Sequence, residues 1–139
     1  MDLDKAILIA VNAHKGQTDK GGDTYILHPL RVMLSMDTES SRIVAVLHDV
    51  VEDTDVTLTD LRQQGFSEQI ITAIDCLTRR SGESYMQFIE RVKQNDLARA
   101  VKIADINDNK DLSRIPSPTK EDIERLKKYN EALNRLLSQ

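Results

Sequence analysis

The stretch Ala45-Val46-Leu47-His48-Asp49-Val50-Val51-Glu52-Asp53-Thr54 constrains the fold more than any other part of the 139-residue chain. Ile43 to Leu47 is apolar on every face, as befits a helix buried on all sides at the centre of a core. One histidine and three carboxylates follow directly. A carboxylate taken out of water is costly unless it is paired, protonated or bound to a cation. His48-Asp49 and Glu52-Asp53 therefore read as a cation site with acid/base groups beside it. Helical spacing continued through the run sets Glu52 one turn beyond His48, and Asp53 one turn beyond Asp49. The competing reading is the frayed acidic end of a helix, and the rest of the chain decides between the two.

That rest is helical in pattern. Leu3, Ala6, Ile7, Ala10 and Val11 recur at helical spacing over residues 2–15, ending at Gly16. Residues 17–24 are loop formers and read as an exposed, mobile loop. His28-Pro29 opens a second helix, where proline suits the first turn, and residues 37–41 offer caps for the apolar segment. Thr57 with Asp60 forms a capping box for a short helix ending near Gly65, and Ser67 starts another through Leu77. Tyr85, Phe88, Ile89 and Val92 mark a further helix, with Asn95-Asp96 opening the next. Residues 113–118 form a connector, after which Thr119 and Asp122 cap a last amphipathic helix to about Leu137. Two Phe, three Tyr, no Trp and little Gly or Pro argue against a strand-rich sandwich. The expected fold is all-α, a single compact helical domain over residues 1–139.

The long helix after Asn95 repeats the design of the opening run, because Leu97 to Ala104 is largely apolar and delivers Asp105 at its end. Asn109, four residues on, shares its face. His28, His48, Asp49 and Asp105 thus supply two imidazoles and two carboxylates from separate segments. This mixture suits a divalent transition ion such as Mn, Fe or Zn better than Ca or Mg. Four protein ligands leave coordination positions for water and a substrate oxygen, and Glu52 and Asp53 stand ready to orient or deprotonate that water. The formal charge of −4 with scattered basic residues argues against a general nucleic-acid binder. No apolar stretch approaches membrane-spanning length, and the amino terminus lacks a signal-peptide pattern, so a cytoplasmic location is expected. Cys76 reads as core filler.

The motifs Ala13-His14-Lys-Gly16-Gln17, Tyr25-Ile-Leu-His28-Pro29, His48-Asp49-Val-Val-Glu52-Asp53-Thr, Val101-Lys-Ile-Ala-Asp105 and Asn109 together resemble the HD-domain hydrolase of RelA/SpoT-type alarmone enzymes. The similarity runs over most of residues 6–112, in family order. It implies an all-α HD-domain helical bundle and a manganese-dependent hydrolase that removes the 3′-pyrophosphate from (p)ppGpp. With no room for a synthetase or regulatory domain, the expectation is a small stand-alone hydrolase. By position, His28, His48, Asp49 and Asp105 would hold the metal, Glu52 and Asp53 would activate water, Asn109 would contact the ribose, and Lys20 a phosphate. Two departures stand out. Asp19 precedes Lys20 where the family has a basic pair, and Ile106 follows Asp105 where it has arginine. Both are expected to remove positive charge near the anion site, which points to retained metal chemistry on a different or less phosphorylated nucleotide.

The alternatives are a broader HD nucleotidase and a non-catalytic metal- and nucleotide-binding regulatory module. The expected partner is a small nucleotide, with no nucleic acid and no membrane, and self-association stays open. His14 is expected to pack or support a ligand, Tyr25 to stack on a base or anchor the loop, and Tyr129 to serve the core. Lys110, Arg114, Asp108 and Asp111 are expected to face solvent, and Arg79-Arg80 to complement a helix end.

Overall fold

The structure, a computed structural model, describes residues 2–111, 115 and 117–138. Arg114 and part of the 113–118 connector lie outside the described residues. Among those described there are nine helices and no strand, with one isolated bridge between Thr18 and Thr24. The caps lie largely where the sequence places them. Asp2 accepts the Lys5 N–H at the start of α1 (Leu3–His14). α2 (Leu27–Leu34) carries His28-Pro29 in its first turn, and α3 (Glu39–Leu47) starts on a Thr38–Ser41 capping box. Past the short α4 (Val50–Asp53), α5 (Leu58–Gln63) opens on Thr57 and Asp60, and α6 (Glu68–Cys76) on Ser67. α7 (Tyr85–Lys93) uses a Ser84–Gln87 box, α8 (Asp96–Asn109) the Asn95 side chain, and α9 (Lys120–Leu137) a Thr119–Asp122 box. Each such cap satisfies amide groups that the first turn leaves unpaired.

α3 is the hub. It packs against α1, α2, α6 and α8, and its residues from Ile43 to Leu47 are wholly buried. Each large aliphatic side chain there stabilises the fold by roughly 1.5–3 kcal/mol. No described helix is long and apolar enough to cross a membrane.

Three expectations change. The run from Ala45 to Thr54 is not one continuous helix: α3 stops at Leu47, His48 and Asp49 form a turn, and α4 restarts at Val50. The His48 side chain contributes to the break, since its Nδ1 takes the Ala45 carbonyl at 2.6 Å and so competes with the backbone ladder. The 16–24 loop is organised rather than loose. Asp19 Oδ1 accepts the amides of Gly21 and Asp23, both at 2.9 Å, and the Asp19 N–H donates to the Asp23 carbonyl at 2.8 Å. Gly22, at φ +89°, permits the tight return.

The third change concerns Ile106, which is fully buried in the core and does not face an anion site. Its side chain fills the interior beneath α8, so its identity answers to packing. Ile106→Ala is expected to cost about 2–5 kcal/mol of stability in a urea titration; a surface position would lose only about 0.5 kcal/mol.

Candidate active site

Three elements converge on one buried point. α2 presents His28, the α3–α4 break presents His48 and Asp49, and α8 presents Asp105; all four are at least nine-tenths buried. One ligand atom each from His28, His48 and Asp49 can be chosen so that all three lie within 4.8 Å of one another. Asp105 is not in that three-way set, but its Oδ1 lies 2.8 Å from His28 Nε2 and 3.3 Å from His48 Nε2. The imidazoles are oriented from behind. His48 Nδ1–H donates to the Ala45 carbonyl, and His28 Nδ1–H to Asp108 Oδ2 at 2.6 Å, so both Nε2 atoms face the shared point.

Residues the sequence reading did not assign complete this support. Asp108, expected to face solvent, is instead largely buried and gripped by Arg31, whose Nε and Nη2 donate to it at 2.8 and 3.1 Å. Helical spacing carried the signal, because Asp108 follows Asp105 by three positions and Arg31 follows His28 by three. Lys102 Nζ lies 2.9 Å from Asp105 Oδ2. His14 is buried, with Nε2 3.1 Å from Asp49 Oδ1 and Nδ1 2.9 Å from Gln17 Oε1, in keeping with its expected supporting place. The Tyr25 hydroxyl donates to Asp49 Oδ2, so this ring anchors a carboxylate and not only the loop.

Charge in this interior is tightly coupled. Burial works against the His48 imidazolium, but the Asp49 and Asp105 charges outweigh it and push the group up to about 9. Burial likewise raises the Asp49 and Asp105 carboxyls. His48, His14 and Tyr25 hold Asp49 well below the usual carboxylate range, while Lys102, His48 and His28 do the same for Asp105. His28 has a carboxylate oxygen against each ring nitrogen, at 2.6 and 2.8 Å, which requires both to carry protons. Asp49 Oδ1 is buried without a hydrogen bond. A divalent ion would take the place of the His28 Nε2 proton, leaving Nδ1–H on Asp108, and would satisfy that oxygen, so the donor set fits a cation.

Glu52 and Asp53 lie on α4, directly after the His48-Asp49 turn. Glu52 is exposed, and its Oε1 accepts the Arg79 N–H at 2.7 Å. The Asp53 carboxyl is raised, first by lost hydration and then by the Asp49 and Glu52 charges. Outside the cluster a cavity of about 370 Å³ opens, with Lys20, Tyr25, His28, Asn109, Arg125 and Tyr129 among its lining residues. Asn109 Nδ2 donates to Asp105 Oδ1 at 3.1 Å, tying the cavity wall to the cluster. Tyr129, expected to serve the core, packs on it and also lines the cavity. Asp19 lines it too, but its Oδ1 is engaged by the loop backbone.

No family model matches the chain. It is 32% identical over 122 residues to the bifunctional (p)ppGpp synthase/hydrolase SpoT of Escherichia coli, covering 77% of this chain and 17% of that protein. It is 30% identical over 121 residues to a guanosine-3′,5′-bis(diphosphate) 3′-pyrophosphohydrolase of Aquifex aeolicus, covering 78% and 17%. A GTP pyrophosphokinase of Streptomyces coelicolor is 34% identical over 103 residues, covering 70% and 11%. The chain thus spans less than a fifth of the length of these relatives. A solved structure of a metazoan SpoT ortholog, described as hydrolysing ppGpp, superimposes with a TM-score of 0.80 at 20% identity, over 98% of this chain and 85% of that one. The all-α bundle is therefore the fold of that protein.

Two measurements follow from the geometry. Asp108→Asn, which weakens the grip on His28, is expected to lower Mn2+ affinity by about 10- to 100-fold in a calorimetric titration. Without an ion, His48 holds its proton up to about pH 9. A ligating imidazole must lose it, so Mn2+ affinity is expected to rise from about pH 7 and level off near 9, with proton release seen as a dependence of the binding heat on buffer.

Proposed function

Because the chain is a relative of the HD-domain hydrolases of RelA/SpoT type, we propose that it is a metal-dependent phosphohydrolase that removes the 3′-pyrophosphate from (p)ppGpp-like nucleotides. Residues 1–139 act as one HD-type domain in this reading. The observation that carries it is the convergence of His28, His48 and Asp49, with Asp105 against both imidazoles and two further carboxylates one turn on. His28, His48, Asp49 and Asp105 hold the ion, which we take to be Mn2+. When bound, it offsets negative charge on the phosphoryl group under attack.

The chain's own groups do the remaining work. Asp53, whose carboxyl is raised by lost hydration and by the Asp49 and Glu52 charges, takes a proton from the attacking water. Glu52, fixed by the Arg79 amide, orients that water. The water oxygen bonds to phosphorus, the bond from phosphorus to the ribose 3′ oxygen breaks, and the proton passes to that leaving oxygen. Asn109 and Lys20 line the cavity on the substrate side, where they contact ribose and phosphate. The surrounding His14, Tyr25, Arg31 and Asp108 hold the ligands in place through hydrogen bonds and ion pairs.

The test is to incubate the Mn2+-loaded protein with ppGpp, pppGpp, adenosine analogues and simple nucleotides and to identify the phosphate species released. Pyrophosphate from a 3′ position is expected. Release of other species from many nucleotides would favour a broader nucleotidase, and binding without turnover a regulatory module. Glu52→Gln is expected to keep its metal by mass spectrometry while turnover falls by about 10²-fold or more. His48→Ala is expected to lose the metal, and equal loss in both variants would overturn this division of roles.

A further inference from the structure

Beside the cavity, α7 and α9 gather cations on aromatic faces. Lys128 Nζ lies 4.4 Å from the Tyr85 ring centroid and 5.8 Å from that of Tyr129, and the Arg79 guanidinium lies 5.7 Å from the Tyr85 ring. Tyr129 lines the cavity, and the Arg79 amide holds Glu52. Hydrogen-bond and cation–π contacts therefore link Glu52, through Arg79, Tyr85 and Lys128, to Tyr129 of the cavity wall. The basic residue at 79 does more than finish a helix.

Neutralisation is uneven across this surface. Lys102 is paired with Asp105 and Arg125 with Asp122, each at 2.9 Å. Arg79 donates its side chain only to the Glu83 carbonyl, and neither it nor Lys128 nor Lys20 has a carboxylate partner among the described residues. Lost hydration, and then repulsion from Arg79, Arg125, Lys102 and Lys20, disfavours the charge on Lys128. The Tyr85 hydroxyl is buried with no hydrogen bond. Like charges held together without counter-charge, on rings that fix their positions, suit a multiply charged anion.

We infer that Arg79 and Lys128, stacked on Tyr85 beside the cavity wall at Tyr129, form an anion subsite for a phosphoryl group of the substrate other than the scissile one. For a 3′-pyrophosphorylated nucleotide this group is the 5′-phosphates. The inference rests on the proposed hydrolase reading for the identity of the nucleotide. It also accounts for the departure at Asp19: positive charge lost from the 16–24 loop is supplied by α9 and the segment after α6.

GDP carries 5′-phosphates and nothing at the 3′ position, so its binding reports the subsite without turnover. The measurement is calorimetric titration of GDP and of guanosine into the Mn2+-loaded full chain, wild type and Arg79→Gln/Lys128→Gln. The double variant keeps the main-chain amide that holds Glu52. GDP affinity is expected to fall about tenfold or more, as for lost charge-assisted contacts, with guanosine affinity unchanged and a shallower salt dependence. Arg79→Lys/Lys128→Arg is expected to restore most of the GDP affinity. Undetectable GDP binding to the wild type, equal GDP affinity in both proteins, or a parallel loss for guanosine would overturn the subsite. The expected GDP pattern without hydrolysis of any nucleotide would overturn the hydrolase reading alone, and hydrolysis with unaltered GDP binding the subsite alone.

Discussion

Two carboxylates, Asp49 and Asp105, lie in the interior of a helical core beside two imidazoles, and the rest of the structure is arranged around the cost of keeping them there. An unpaired charge in that setting would destabilise the fold by several kcal/mol (about 3–5 for a broken buried pair). Each charge is therefore met from several directions: Asp49 by His14, Tyr25 and His48, and Asp105 by Lys102, His28, His48 and Asn109. These partners come from helices distant in sequence. The cluster thus also ties α1, α2, α3 and α8 together, and the hub position of α3 follows from the same requirement.

Satisfying the charges with protons and satisfying them with an ion are alternatives. Without an ion the imidazoles hold protons between the carboxylates; an ion would find the same Nε2 atoms free to ligate, with their Nδ1 atoms already fixed by Ala45 and by Asp108. Little needs to move on loading, because the supporting bonds are made on the far side of each ring. The Arg31–Asp108–His28 chain extends this support to the outer edge of α2. Asp108 also shows why surface assignments from local pattern fail: a carboxylate on the polar side of a helix becomes interior when a neighbouring helix brings an arginine and a histidine to it.

Glu52, Asp53 and the cavity are built by a different logic from the buried His–Asp cluster. Glu52 and Asp53 stand on the single turn of α4, exposed, where a broken helix turns them outward. The cavity wall is contributed by the 16–24 loop on one side and α9 on the other. Its electrostatic character cannot be judged from one stretch. Asp19 is occupied with the amides of its own loop, Ile106 belongs to the core, and the uncompensated cations Arg79 and Lys128 stand behind Tyr129, beside the cavity.

The helices, most of their caps, the buried centre at Ile43 to Leu47 and the residues that meet there were all legible in the sequence. Local rules govern them: apolar periodicity, a hydroxyl or carboxylate at a helix start, and polar groups delivered by apolar runs. What the sequence could not settle was the orientation of individual side chains between elements. The break at His48-Asp49, the inward turn of Asp108 and Ile106, the ordering of the loop by Asp19 and the meeting of Arg79 with Lys128 on Tyr85 each depend on which helix lies opposite. Helical spacing specifies a face but not its neighbour. Only the packing of α2 against α3 and α8, and of α7 and α9 against α8 and each other, determined which charges are paired and which stand uncompensated beside the cavity.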